Sequence, residues 1–272
     1  MFCSIPPTNF LLKLGLYYLY MTHQFRPKKL SVEDIRSGCL KLTNGEGVET
    51  QVCVAAEELR QGLDIISTIE KSVTFFGSAR TPEDDEYYQK AQRLGKRVAE
   101  LGYAVVTGGG PGIMEAANRG AIEVEGAKSI GMTITLPFEQ KTSPYVTEEI
   151  PFYYFFTRKV GLTYSSEAYL GFPGGFGTMD EIFEVLTLIQ TGKIENIPVI
   201  LIGGKDFWQP LVDFIINILE KEFKTISPED LNLYTITDDE DEIIDIIKKA
   251  HVHREDKRGV LVDNLIKSTD EE

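Results

Sequence analysis

Short apolar runs that end in glycine turns, each followed by a helical pattern, constrain the possible folds of this chain more than any other feature. The run-and-turn pairs are Val73–Phe76 with Gly77-Ser78, Tyr103–Thr107 with Gly108–Gly112, and Ala168–Phe172 with Gly174–Gly177. Continuous apolar strands that alternate with amphipathic helices are typical of a parallel sheet buried on both faces. The sequence therefore predicts a single α/β domain with a doubly wound parallel sheet flanked by helices.

The same alternation continues along most of the chain. Further strands are predicted at 129–136, 198–202 and 233–236, and a long loop at 137–151. Helices are predicted at 51–69, from Thr81-Pro82 to Leu101, from Gly112 to about Gly126, around Arg158, and at 178–190, 207–219 and 240–249. The predicted organisation is an apolar extension (1–20), a helical segment (21–70), the α/β domain (71–250) and an acidic tail (251–272).

All three glycine turns are expected at one edge of the sheet. Ligands of a doubly wound sheet bind outside the carboxyl ends of the strands, and each turn follows such an end. Glycine lets a ligand approach the backbone closely, and the N–H groups at a helix start favour anions. The glycines predicted to bind an anion are Gly108, Gly109, Gly110, Gly112, Gly174, Gly175 and Gly177. The alternative for 108–112 is a tight turn that only packs a helix against a strand.

The first of these loops departs from two common nucleotide-binding motifs. No Gly-Lys-Ser/Thr follows Gly112, so the loop is not a P-loop, and Ile113 stands where the third glycine of G-x-G-x-x-G belongs. No acidic residue ends the second strand to hold a ribose. The pattern disfavours a redox dinucleotide enzyme.

Two glutamates near helix starts admit both structural and functional interpretations. Thr178 and Glu181 have capping-box spacing, in which the glutamate ties down a backbone N–H for about 1 kcal/mol. A carboxylate at this turn would otherwise act on the substrate as a base or stabilise a cation. Glu115 is either a favourable first-turn acid or an acceptor for a ligand hydroxyl.

Basic residues mark two further places. Arg158 and Lys159 lie in a mostly apolar stretch, and adjacent helical positions diverge by about 100°, so one of them can point into a site. Arginine is the better planar partner for phosphate or carboxylate, and the alternative is a snorkelling surface pair. Ser78 and Arg80 follow the first strand, where they serve either as turn and surface residues or as contacts to a phosphate or base.

Charge and cysteine usage narrow the class of protein. The net charge is −14, from 28 basic and 42 acidic residues, which disfavours a broad nucleic-acid or anionic-membrane surface. Cys3, Cys39 and Cys53 show no CxxC spacing, which predicts a reducing cytoplasmic location without disulfides or a zinc site. His251 and His253 have no nearby partners to complete a metal site, so we expect no metal.

The run Phe10–Met21 is the only membrane-like stretch. It is shorter than the ~20 apolar residues of a spanning helix and contains Lys13, so we expect no membrane span. It also lacks the flanking regions of a signal peptide. Met21 is interpreted as the true start, with 1–20 an upstream extension, or else the run is an ordinary packing helix.

Three elements together resemble one known family. They are the G-G-G-P-G-I-M-E-A-A-N run at 108–118, the pair Arg158-Lys159, and the P-G-G-F-G-T-M-D-E run at 173–181. The sequence over about 72–222 resembles the Lonely Guy (LOG) family of nucleoside 5′-monophosphate phosphoribohydrolases. The resemblance implies a Rossmann-like fold, hydrolysis of the N-glycosidic bond of AMP-like nucleotides, and a homodimer or larger homo-oligomer with the active site near a subunit interface.

The resemblance also implies roles for individual residues. Arg158 and Glu181 match the catalytic arginine and glutamate, and the glycines of both loops with Thr178 match the phosphate-binding loops. Phe155 stands where many members have methionine, and the 108–118 run resembles the longer bacterial members, so AMP-like substrates are expected before cytokinin nucleotides. The implied reaction uses no cofactor. The alternative is a non-catalytic nucleotide or molybdenum-cofactor carrier on the same fold.

Overall fold

The computed structural model describes residues 31–43, 47–136 and 142–250 as eight α-helices and one sheet. The strands are β1 (Ser72–Phe76), β2 (Ala104–Thr107), β3 (Ser129–Ile134), β4 (Glu148–Phe152), β5 (Ala168–Gly171), β6 (Val199–Leu201) and β7 (Thr235–Ile236). The helices are α1 (Val32–Thr43), α2 (Val48–Ile66), α3 (Glu86–Glu100), α4 (Ile113–Ile122), α5 (Phe155–Tyr164), α6 (Phe176–Gln190), α7 (Gln209–Phe214) and α8 (Glu240–Lys249). Turns of π-helix at Gly204–Trp208 and Ile215–Glu222 flank α7, and a 3-10 turn spans Pro228–Asn232.

The sheet is parallel throughout, in the order β4-β3-β2-β1-β5-β6-β7. β1 pairs with β2 on one side and with β5 on the other, so the direction of strand addition reverses between β1 and β5. Such a reversal opens a crevice at the carboxyl ends of the two strands. The predicted doubly wound fold is confirmed, and the reversal lies between two of the glycine turns.

Helices cover both faces of the sheet because side chains alternate along each strand. Val73 and Phe75 of β1 belong to a core formed with α3, α4 and α8. Phe76 points the other way, into a core that includes Leu162 of α5 and Ile182 of α6. Both faces of the central strand are therefore dry, which explains its continuous apolar sequence.

The segment before the sheet is a pair of packed helices joined by a disulfide. Cys39 of α1 and Cys53 of α2 are bonded, with 5.8 Å between their Cα atoms. The prediction of no disulfide is wrong for this pair, because helix packing, and not a short sequence spacing, brings the two sulfurs together. The cysteines consequently no longer support a reducing location.

Two local predictions are also corrected. The 137–151 loop was expected to be irregular, but it ends in β4, an edge strand paired only with β3, where acidic residues and Pro151 are tolerated. α3 does not begin at Thr81-Pro82: its N-cap is Asp85, whose carboxylate accepts a hydrogen bond from the N–H of Tyr87 at 2.8 Å. Gly102 takes a φ of +78° just beyond α3, as the predicted helix stop requires.

Some sequence predictions lie outside the described residues. These are the 1–20 extension with its Met21 alternative, the two histidines and the acidic tail. Within the described part, no helix is long and apolar enough to cross a membrane. The same part contains no group of three or more His, Cys, Asp or Glu side chains that could hold a metal ion.

Candidate active site

The three glycine turns lie against one another at the carboxyl edge of the sheet. The N–H of Ser78 donates to the carbonyl oxygen of Pro173 at 3.0 Å, and the N–H of Ile113 donates to the carbonyl oxygen of Ser78, also at 3.0 Å. The backbone of Ser78 thus bridges the loop after β2 and the loop after β5. Gly112 has a φ of +69° and leaves no room for a Cβ beside this bridge.

A buried polar network holds the loop after β2. The Thr107 hydroxyl donates to Asn118 Oδ1 at 2.7 Å, Asn118 Nδ2 donates to Ser129 Oγ at 2.8 Å, and the N–H of Gly109 donates to Thr107 Oγ1 at 2.9 Å. Asn118 is fully buried on α4. In the sequence, Asn118 is only the last residue of the 108–118 run. Its position, on the inner face of a helix of small residues, was the signal that it is structural.

The turn after β5 starts α6 earlier than predicted. The helix begins at Phe176 with Gly175 as its N-cap, and the described residues provide no side-chain cap for it. Thr178 therefore lies inside the first turn, buried against Gly174, where a Cβ would overlap its hydroxyl. The capping-box interpretation of Glu181 is wrong, because two consecutive glycines let the backbone itself start the helix. The first N–H groups of α6 have no partner within the helix, as at any helix start.

Arg158 of α5 is the most buried cation at this edge. Its side chain is 9% exposed, and its Nε donates to the carbonyl oxygen of Met132 in β3 at 2.7 Å. A Cβ at Gly108 would overlap the guanidinium and the sulfur of Met114. Burial lowers the pKa of Arg158, although an arginine remains charged. The guanidinium is thus held in a narrow slot between β3 and the first glycine loop.

Glu181 of α6 faces that guanidinium. Its Oε1 lies 3.6 Å from Arg158 Nη1, and its side chain is 17% exposed. Desolvation raises the pKa of Glu181 to about 7, against the opposing effect of Arg158. A carboxyl with a pKa near neutrality, facing a crevice, has the properties of a general base or acid.

Lys159 also reaches α6, where it pairs with other carboxylates. Its ammonium lies 3.0 Å from Asp180 Oδ1 and 3.2 Å from Glu184 Oε2. These ion pairs join α5 to α6 beside the Arg158–Glu181 pair. A direct phosphate contact by Lys159 stays a prediction.

Two more predicted residues lie on the rim of the crevice. Glu115, in the first turn of α4, accepts a hydrogen bond from the Tyr88 hydroxyl at 3.1 Å, and burial raises the pKa of Tyr88 to about 12. Arg80 is exposed, donates its backbone N–H to Ser78 Oγ at 3.0 Å, and makes no ion pair with any described residue. Arg80 can therefore turn toward an anion without breaking an existing pair.

Exposed aromatic rings surround the start of α5 and α6. Phe176 is 97% exposed, and Phe155 and Phe156 are each 56% exposed. Tyr154 and Phe156 stack with ring centroids 5.3 Å apart. Such rings on adjacent helices form an apolar surface beside the polar site.

Comparison with known proteins assigns the family. The family model described as "Possible lysine decarboxylase" matches residues 114–247. The probable cytokinin riboside 5′-monophosphate phosphoribohydrolase LOGL3 of Oryza sativa subsp. japonica is 31% identical over 164 residues, which are 60% of this chain and 75% of the relative. The chain belongs to the Lonely Guy family. A further LOG relative from rice, LOGL6, is 26% identical over 210 residues, 76% of this chain and 82% of its own.

A solved structure supports the fold independently. An X-ray structure of a structural genomics target is 21% identical and has a TM-score of 0.50, covering 66% of this chain and 99% of its own. The shared part is the α/β fold. The range that matches the family model contains Arg158, Lys159 and Glu181 but starts just after the first glycine loop.

Proposed function

We propose that this LOG-family protein hydrolyses the N-glycosidic bond of a nucleoside 5′-monophosphate, releasing the free base and ribose 5-phosphate. The observation that carries the proposal is the largely shielded Glu181 carboxyl, 3.6 Å from the Arg158 guanidinium, beside the uncapped start of α6. Curated relatives in rice and Rhodococcoides fascians are named as cytokinin riboside 5′-monophosphate phosphoribohydrolases.

The chemistry requires a carboxylate at the anomeric carbon. Cleavage of a ribosyl C–N bond passes through an oxocarbenium-like state, as glycoside hydrolysis does. Ionised Glu181 stabilises that positive charge and takes a proton from the attacking water. The water oxygen bonds to C1′, the electrons of the C1′–N bond pass to the base, and the base takes up a proton from solvent. Glu181 then returns the proton of the water to solvent. No atom changes its oxidation state overall, so the proposed reaction uses no electron carrier.

Arg158 contributes orientation and charge. Its fork of N–H donors is fixed by the carbonyl oxygen of Met132, and one arm faces Glu181. It stays charged while the carboxyl titrates, so it favours the ionised form of Glu181 that the reaction needs. We assign Arg158 as the residue that holds the substrate against the carboxylate.

The phosphate end of the substrate is assigned to the α6 start and the neighbouring loop. We assign one side of the phosphate to the N–H groups at the start of α6, with Thr178 in the same turn, and the other side to the loop at 108–112. Binding at this remote end positions the reacting bond. Exposed Arg80 supplies an additional positive charge, and Ser78 and Glu115 are assigned to the rim, where Glu115 would accept a ribose hydroxyl.

The base is proposed to be adenine-like. Phe155, the first residue of α5, stands where many family members have methionine, and its ring is half exposed. An aromatic ring in this place stacks on a purine. Stacking does not separate AMP from the cytokinin nucleotides, since both carry an adenine ring. We rank AMP first because Phe155 and the 108–118 run depart from the pattern of the plant members.

We also propose that a second copy of the chain covers the exposed rings of Phe155, Phe156 and Phe176. A phenylalanine that is 97% exposed next to a catalytic turn is unusual for a monomer. Light scattering of the purified protein should give a dimer or a larger homo-oligomer. A monomer at all working concentrations would contradict this part of the proposal.

The decisive experiment is a panel of nucleotides. The protein is incubated with AMP, GMP, CMP, UMP and a cytokinin riboside 5′-monophosphate, and ribose 5-phosphate and free base are both quantified. We expect equal amounts of the two products, with AMP the best natural substrate. Tight binding of a monophosphate without release of base would indicate a non-catalytic carrier and contradict the proposal.

A further inference from the structure

The turn that leads into the helix carrying Arg158 is anchored by a residue from a distant part of the chain. The N-cap of α5 is Tyr154, whose side chain makes no capping hydrogen bond. Glu58, in the middle of α2, binds the two residues just before the first helical residue: its Oε1 accepts the N–H of Tyr153 at 2.7 Å, and its Oε2 accepts the N–H of Tyr154 at 3.3 Å. The Thr157 hydroxyl lies 2.7 Å from Oε2, within donating distance.

The contact between Glu58 and the turn before α5 is buried. Glu58 is 1% exposed and Thr157 is fully buried. A carboxylate in a dry environment is unfavourable unless donors surround it, and here backbone N–H groups and the positive end of a helix do so. The carboxylate therefore fixes where α5 begins, since any shift of the helix start would leave it without partners.

Arg158 closes the first helical turn after these anchored residues. Its N–H donates to the carbonyl oxygen of Tyr154 at 3.3 Å, which closes the first turn of α5. Its guanidinium must then enter the slot formed by the Met132 carbonyl oxygen and Gly108, which leaves no spare room. A small rotation of α5 would withdraw the guanidinium from Glu181.

We propose that Glu58 is a positioning residue for the active site, which holds Arg158 against Glu181 by anchoring the turn before α5 to the N-terminal helix pair. The inference extends the proposed function, because it assigns a task to a helix that precedes the range matched by the family model. Residues outside that range would then set the geometry of the catalytic pair.

Kinetics of matched variants provide the first test. Glu58→Ala removes all three acceptor contacts, and Glu58→Gln keeps one acceptor oxygen in the same shape. We expect kcat to fall about 10- to 100-fold in Glu58→Ala, because misplacement by ~1 Å can cost that much, with a smaller change in KM and partial recovery in Glu58→Gln. Glu57→Gln is the control, since Glu57 pairs with Arg60 on the same helix, away from the turn before α5.

The second test reads the geometry without turnover. The pKa of Glu181 is measured by NMR in protein with carbon-13-labelled glutamate carboxyls, using Glu181→Gln to assign the signal. The charged groups that face this carboxyl are Arg158 and Lys159 of α5, with Asp180 and Glu184 of its own helix. If Arg158 withdraws, Glu181 loses its main opposing charge, so its pKa should rise in Glu58→Ala and stay unchanged in Glu57→Gln.

The outcomes separate this inference from the proposed function. A raised Glu181 pKa in Glu58→Ala supports positioning even if no nucleotide is hydrolysed by the wild type. An unchanged Glu181 pKa and unchanged kcat, with only a lower melting temperature, would reduce Glu58 to a structural link and overturn the proposal. If Glu58→Ala does not fold, the same comparison is made with the isosteric Glu58→Gln. A raised Glu181 pKa in that variant supports positioning, and an unchanged pKa with an unchanged kcat overturns it.

Discussion

The starts of α5 and α6 lie side by side, yet they are built in opposite ways. α5 begins under a buried carboxylate from α2, which accepts the N–H groups of Tyr153 and Tyr154. α6 begins at two glycines, with no side-chain cap among the described residues. One helix start has a carboxylate of the protein beside it, and the other has none and is open to an anionic ligand.

The difference matches the separate tasks proposed for the two helices: α5 positions Arg158, and α6 binds an anion and carries Glu181. The bonds from Glu58 hold the start of α5 in place, as the buried guanidinium of Arg158 requires. An open start leaves the N–H groups of α6 able to bind an anion, while Glu181 lies one turn deeper and keeps away from it. A carboxylate in the first turn would compete with a phosphate, so the early start of α6 is what makes a base and an anion site compatible on one helix.

The largest effect is expected from the carboxyl of α6. Glu181→Gln keeps the shape of the side chain but cannot accept a proton from water, so kcat on AMP should fall by about 1,000-fold or more. KM should change little, because the α6 start is untouched. Ribose 5-phosphate release measures both quantities. Near-normal turnover in this variant would remove Glu181 from the mechanism.

The next largest effect is expected from the slot that receives the guanidinium of α5. In Gly108→Ala the new Cβ would overlap Arg158 and Met114, so the guanidinium must move. We expect kcat to fall by about 100-fold, on the scale of a misplaced catalytic group. Gly38→Ala, where a Cβ has no neighbour within 4 Å, is the control and should retain full activity. Equal activity of both variants would show that the slot does not position Arg158.

A third expectation concerns stability as a function of pH. Burial raises the pKa of Glu181 to about 7 in the folded protein, whereas an unfolded glutamate titrates near 4.3. The folded state therefore binds this proton more tightly, and the stability it contributes is full below about pH 4 and is lost as the pH rises to 7. Chemical denaturation should find Glu181→Gln more stable than wild type by about 1 to 3 kcal/mol at pH 8. The gap should close toward pH 5, and a constant gap would contradict the raised pKa.

Local sequence patterns predicted the sheet because its strands are buried on both faces. Val73–Phe76 and Ala168–Phe172 are continuous apolar runs, and burial leaves them few alternatives. β4 escaped prediction for the opposite reason. It is an edge strand with Glu148, Glu149 and Pro151 among its five residues, so its pairing with β3 left no apolar pattern.

The site was predictable where one loop carries the chemistry and not where distant segments meet. The glycine turns and the pair Arg158-Lys159 were found from spacing, but spacing suggested a capping box that the structure does not contain. The contact of Glu58 with the turn before α5 joins residues 95 or more positions apart. One signal was present: Glu58 follows Val54 by four residues, on the face of α2 that also buries Ile66.

The smallest expected effect tests the open helix start directly. Ribose 5-phosphate titrated into nitrogen-15-labelled protein should shift the N–H signals of Phe176, Gly177 and Thr178, because these groups lack helical partners. The signals of the first turn of α5 should move less, because the Glu58 carboxylate lies beside that end of the helix and its charge opposes the approach of an anion. Equal shifts at both helix starts would remove the distinction between them.

A hydroxyl deletion gives the same test a kinetic form. Thr178→Val removes one donor at the open start, worth about 1 kcal/mol, so KM should rise about three- to tenfold with kcat nearly unchanged. Thr187→Val on the same helix is the matched control, since that hydroxyl donates only to the carbonyl oxygen of Phe183, away from the turn. A KM equal in the two variants would place the phosphate elsewhere, and the loop at 108–112 would then be the remaining anion site at this edge of the sheet.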